Sequence, residues 1–234
     1  MNDIGAALVA AFALVSVGDP AVAGIVALSL RVSLCAVGIA ALIGLPLGAL
    51  LAVARFPGRR VIIVGINALM GLPPVVAGLL VYILLSRSGP LGPLGLLFTP
   101  TAMVIAQAVL LAPILAALTR QVLEGLWEEY AEQLRSFGAT PARAVPTLLW
   151  DGRFALFTVL LAGFGRASAE VGAVMIVGGN IEGFTRMMTT AIALETSKGD
   201  LPLALAFGLV LMVIVLTINA LAQGLREWAG RWAG

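Results

Sequence analysis

Glu132 and Gly138 stand six residues apart, followed at once by Ala139, Thr140 and Pro141, in the one long charged break of an oily chain. A carboxylate, a glycine and a hydroxyl at this spacing are not a catalytic set. They are the parts of a rigid turn. Residues 121–137 favour a helix with acidic side chains in an amphipathic pattern, and Gly138 suits a left-handed helix end. Thr140 before Pro141 is an N-cap and first-turn pair for a second, short helix. Of 14 basic and 12 acidic residues, nine fall between Arg120 and Arg153, Arg143 among them. A chain that concentrates its charge in one loop presents a surface there to something soluble.

Other chemistry is thin. Arg166 and Glu170 are charges inside an apolar run, spaced i and i+4, which on one helix gives them a common face. Left unpaired in hydrocarbon, such a charge costs roughly 2.5–3.5 kcal/mol on insertion scales. A structural ion pair that fixes helix packing is therefore one reading. Ser168 invites a comparison with an intramembrane protease, but there is no histidine to act as its base and Glu170 is two residues away. Without histidine, imidazole metal sites are excluded as well. The single cysteine, Cys35, can form neither an internal disulfide nor a thiolate cluster. No G-x-x-x-x-G-K-[ST] loop occurs, so any ATP must be hydrolysed by another chain. No cofactor is expected.

The elements that must position these residues follow from composition. Hydrophobic residues are 61% of 234 and charged ones 11%, the balance of a polytopic membrane protein. Crossing a ~30 Å hydrocarbon layer takes about 20 apolar residues, so the expected fold is an all-α transmembrane bundle of five spans. These are Val32–Ala54 (extended back to about Ala21), Val61–Ser86, Phe98–Thr119, Phe154–Gly178 and Leu201–Leu225. Ile4–Val17 is shorter and ends at Gly18-Asp19-Pro20; it is expected to lie in the membrane interface as a helix rather than form a sixth span. Trp127, Trp150, Trp228 and Trp232 are expected to be interface anchors.

Arg55, Arg59, Arg60, Arg120, Arg135, Arg143, Arg153, Arg226 and Arg231 fall on one side of such a bundle. Arg31, Arg87, Arg186 and Lys198 fall on the other. The positive-inside rule then predicts a multi-pass protein of the cell (inner) membrane, with its N-terminus outside and its C-terminus cytoplasmic. Scattered basic residues of this kind do not suit nucleic acid. Pro46, Pro113 and the pair Pro73-Pro74 are expected to bend or break their spans. The break at Pro73-Pro74 reads either as kinked packing or as the wall of a pathway.

Residues Glu132-Gln133-Leu134-Arg135-Ser136-Phe137-Gly138 resemble the EAA loop of permease subunits of ATP-binding-cassette importers. The Glu-to-Gly spacing is kept; Gln133-Leu134 replaces Ala-Ala, and the Ile-x-Leu-Pro ending is absent. Gly44-Leu45-Pro46-Leu47-Gly48, Gly71-Leu72-Pro73-Pro74-Val75-Val76-Ala77-Gly78 and Gly163-Phe164-Gly165-Arg166-Ala167-Ser168-Ala169-Glu170 are similar to the oxyanion-importer permeases for molybdate, tungstate and sulfate. The similarity is greatest to the tungstate branch and runs from about Gly18 to Gln223. It implies a single type I importer permease domain over 1–234, with a cytoplasmic coupling loop at 120–153.

The resemblance also implies a homodimer of permease in the lipid bilayer, two cytoplasmic ATPase subunits and an extracytoplasmic oxyanion-binding protein. Glu132, Gly138, Ala139, Thr140 and Arg143 would couple to the ATPase, and Arg166 would offer a passing oxyanion a positive potential that Glu170 partly cancels. In the same light, Asn180, Arg186, Glu195, Lys198 and Asp200 form either a receptor-docking surface or an ordinary polar loop. A membrane subunit without a transport role is the remaining alternative.

Overall fold

The computed structural model describes residues 20–232 and, ahead of them, Gly5, Val9 and Ala11. The helix expected at 4–17 lies, those positions apart, outside the described residues. Among the described residues the chain forms nine α-helices, one 3-10 turn at Gly92–Leu94 and no strand. In order they are α1 (Pro20–Val53), α2 (Arg59–Met70), α3 (Pro74–Leu85), α4 (Pro100–Ser136), α5 (Pro141–Asp151), α6 (Arg153–Ser168), α7 (Gly172–Gly178), α8 (Met188–Lys198) and α9 (Leu201–Trp232).

Among the described residues, three helices are long and apolar enough to cross a membrane: α1, α4 and the apolar part of α9. The number rises to five if each of two bent helix pairs counts as one span. Those pairs are α2–α3 and α5–α6; of the five expected spans, two are not single helices. The run Val61–Ser86 breaks after Met70, because Pro73 and Pro74 supply no backbone donors and force the preceding residues out of helix. The run Phe154–Gly178 breaks after Ser168, for reasons that lie in its packing (below). Pro46 and Pro113, in contrast, sit inside continuous helices of 34 and 37 residues.

The chain divides into two compact units. One holds residues 35–73 and 108–167. In it Gly44 and Gly48, one helical turn apart on α1, meet α4. A Cβ on Gly48 would lie 2.4 Å from the Ala116 carbonyl oxygen, and one on Gly44 would lie 2.9 Å from the Leu115 Cβ. Small residues at this spacing let two membrane helices touch backbone to backbone, where dispersion is densest. Leu51, Ile66, Ala116 and Ala117 continue the contact.

The other unit holds residues 1–34, 74–107 and 168–234. Here α3 and α7 cross closely: Gly78 abuts Ala173, and Gly172 abuts Val75. Met188 and Ala191 of α8 bury against Phe207 of α9 and Val22, Ile25 and Val26 of α1. The Ser29 hydroxyl accepts the Met188 N–H at 2.8 Å, one of the donors left unpaired at the start of α8.

Candidate functional site

The charged break folds into a knuckle. α4 does not stop where its apolar run ends but continues through Glu124, Glu128, Glu129 and Glu132 to Ser136. Gly138 then takes the left-handed conformation, φ +74°, which a Cβ would disfavour. Its N–H donates to the Arg135 carbonyl at 2.9 Å, and the Ala139 N–H donates to the Leu134 carbonyl at 3.0 Å. These two bonds are the Schellman closure of a helix C-terminus. One residue on, the Thr140 hydroxyl accepts the Arg143 N–H at 3.4 Å and Pro141 occupies the first turn, so α5 starts as the sequence leads one to expect.

α5 is two-faced. Glu132, Gly138, Thr140, Pro141, Ala142, Arg143, Pro146 and Thr147 are exposed, Ala139 is half-buried, and Phe137 and Trp150 are bare at 80% and 69%. The inner face buries Ala144 and Leu148 in a cluster with Ala49, Ala52 and Val53 of α1, Leu123 and Trp127 of α4, and Leu156 of α6. A fully buried leucine of this kind contributes about 2 kcal/mol. All three of its neighbours are helices that also carry apolar sequence. α6 leaves the knuckle at 75° to α5, hinged at Gly152.

Trp127 departs from expectation. It is 6% exposed within this cluster, with the Arg135 guanidinium 5.4 Å over its ring, so it packs the knuckle and is not an interface anchor. Trp150 is exposed and stacks on Arg153 at 4.9 Å. Sequence reasoning also missed a brace. Arg59, just past α1, donates through Nε to the Leu51 carbonyl at 2.7 Å and through its terminal nitrogen to Glu124 Oε1 at 2.5 Å. Arg120 pairs with the other oxygen of Glu124. Arg120 and Glu124 are detectable as an i,i+4 pair; nothing local marks Arg59.

Arg166 and Glu170 are not on one helix. α6 ends at Ser168, and Glu170 lies in the break before α7. It is 3% exposed, accepts the Ala173 N–H on Oε1 at 3.1 Å, and its carbonyl receives the Thr189 hydroxyl at 2.8 Å. Its side chain thus serves the start of the next helix, across the break in the expected fourth span. Arg166 is half-buried on the last turn of α6, and both residues are engaged.

Pro74 is the first residue of α3 and Pro73 precedes it in the break. The acidic and basic residues before α9 have local partners: Lys198 bonds Glu195 at 2.7 Å, Arg186 bonds Glu182 at 3.4 Å, and Asp200 accepts the Leu203 N–H at 3.1 Å. Asn180 adopts a positive φ of 50° in a turn closed by Thr185.

Comparison with known proteins bears on this arrangement. Residues 44–232 match the family of binding-protein-dependent transport system inner membrane components. The chain is 43% identical over 209 residues to the tungstate uptake system permease protein TupB of Peptoclostridium acidaminophilum, covering 89% of this chain and 92% of the relative. It is 39% identical over 208 residues to a probable anion ABC transporter permease protein of Haloferax volcanii, covering 87% and 90%. TupB of Campylobacter jejuni is 39% identical over 173 residues, covering 74% and 72%.

Proposed function

Because the chain belongs to the inner membrane components of binding-protein-dependent transport systems, and is thus the permease subunit of an ABC importer in the inner membrane, we propose that it carries tungstate into the cytoplasm by alternating access. The substrate follows from the two relatives named for tungstate uptake. Two copies of the permease form the pore. Two separate cytoplasmic ATPase chains hydrolyse ATP, and an extracytoplasmic binding protein delivers the oxyanion.

The observation that carries the mechanism is α5, exposed on one face and keyed by Ala144 and Leu148 into α1, α4 and α6 on the other. α5 is the coupling helix, with its outer face seated in the ATPase. Glu132, Gly138, Ala139, Thr140 and Arg143 form the contact and the stiff turn behind it. Closure of the ATPase pair moves α5, and the buried cluster hands the movement to the spans. The arginine-rich knuckle and the C-terminus face the cytoplasm, and the N-terminus faces out. The break at Pro73-Pro74 shapes the pathway wall, while Arg166 and Glu170 brace the break that follows α6.

Uptake of labelled tungstate by vesicles containing permease, ATPase and binding protein tests this reading. Transport must require ATP inside and loaded binding protein outside. Molybdate and sulfate, the alternative substrates, are expected to compete poorly. Uptake of either in preference to tungstate overturns the substrate, and ATP-independent uptake overturns the mechanism.

A further inference from the structure

α1 is 34 residues of apolar sequence with one charge in it, Arg31, and no carboxylate. The helix is continuous from Pro20 to Val53, and its cytoplasmic end is marked by Ala49, Ala52 and Val53, which pack the knuckle. Arg31 is 18 positions before Ala49, about 27 Å along the axis at 1.5 Å per residue. A hydrocarbon layer of about 30 Å that ends at the knuckle therefore still includes Arg31 at its outer margin.

The side chain is not absorbed by the fold. Arg31 is exposed and lies on a stripe of exposed positions with Gly24, Ala27, Leu34, Cys35, Gly38 and Leu42, while Val32, Ser33, Ala36, Val37 and Ala40 face inward. Among the described residues it makes no hydrogen bond and no ion pair. Arg166 differs on each count: it is half-buried, engaged, and followed four residues on by a carboxylate. Arginines at membrane depth face a bundle interior or a water-filled cavity rather than lipid tails. A planar guanidinium with free donors fits a tetrahedral oxyanion through two parallel hydrogen bonds.

We propose that Arg31 is the anion-attracting residue at the outer mouth of the pathway, binding the transported oxyanion as it leaves the binding protein. The inference rests on the importer reading and on the orientation proposed above. A phosphate in a lipid headgroup offers the same chemistry; the transported ion is the occupant proposed.

The test uses the complete transporter in proteoliposomes, with loaded binding protein outside and ATP inside. Uptake and ATP hydrolysis are measured for wild type, Arg31→Gln and Arg31→Lys, using whichever of tungstate, molybdate or sulfate the wild type carries. A wrong substrate assignment thus shows in the wild type alone. Arg31→Gln is expected to lower uptake about tenfold or more, the loss expected for a charge-assisted hydrogen bond, while ATP hydrolysis stays within about twofold of wild type. Arg31→Lys is expected to recover most of the uptake. Uptake by Arg31→Gln equal to wild type overturns the proposal. So does a parallel fall of uptake and ATP hydrolysis, which marks a structural role. The third arm replaces phospholipid by uncharged glycolipid: wild-type uptake is expected to persist, and its collapse to the Arg31→Gln level assigns the guanidinium to lipid phosphate and overturns the proposal.

Discussion

Two joints in this molecule turn the chain sharply, and they are built in opposite ways. At Gly138 the turn is exposed and closed by its own backbone, with a left-handed glycine and two short-range hydrogen bonds. At Ala169–Glu170 the turn keeps Glu170 buried, and its closure depends on that carboxylate and on Thr189, nineteen residues beyond Glu170. The first joint is stiff because local geometry dictates it; the second holds only while its tertiary partners are in place. A joint of the first kind suits a part that must be gripped and pushed from outside. The second kind suits a part embedded among helices that rearrange.

Three substitutions sharpen or break this contrast. Leu148→Ala hollows the cluster that ties the outer joint to the spans and is expected to cost about 2–5 kcal/mol. Thermal unfolding of the purified permease should fall, and residual ATP hydrolysis by the assembled transporter should no longer drive uptake. An unchanged melting point would mean that α5 is not seated as described. Glu170→Ala strips the inner joint of its acceptor and leaves a buried N–H unpaired, a loss of about 1–3 kcal/mol. Yield of folded protein is expected to drop, with partial recovery in Glu170→Gln, which still accepts that bond. If Glu170→Ala folds normally, the inner joint is as self-sufficient as the outer one and the contrast fails.

Gly138→Val forces a β-branched residue into a left-handed conformation at about 1–2 kcal/mol. Insertion and yield are expected to stay near wild type while coupling of uptake to ATP hydrolysis falls. Preserved coupling would detach the stiff turn from the relay.

The same division explains what the sequence made legible. α1, α4 and α9 were readable from apolar runs, and the Gly138–Thr140–Pro141 turn was readable residue by residue, because each obeys a rule confined to a few neighbours. Pro73-Pro74 announced a break that the run-length reading then bridged. Pro46 read as a kink, whereas the glycines beside it, Gly44 and Gly48, make a close helix crossing that is visible only once α4 is opposite. Trp127 read as an anchor from its place beside a boundary, but the returning α5 buries it. Arg59 and Glu124 are 65 residues apart, and no local pattern joins them. Glu170 read as one half of an i,i+4 pair with Arg166 on a single helix; the chain places it, buried, in the break after that helix. Its i,i+4 spacing from Arg166 presumes a helix that the α3–α7 crossing at Gly78, Ala173 and Gly172 interrupts.

The central claim is that α5 is a cytoplasmic helix gripped by the ATPase. Cys35 is the one native cysteine, so a Cys35→Ala background carrying Thr147→Cys places a single thiol on the exposed face of α5. Labelling with a membrane-impermeant maleimide in oriented vesicles reads its side directly. The account predicts modification only from the cytoplasmic face, with strong protection when the ATPase subunits are bound. Modification from the outer face, or labelling indifferent to the ATPase, would contradict it.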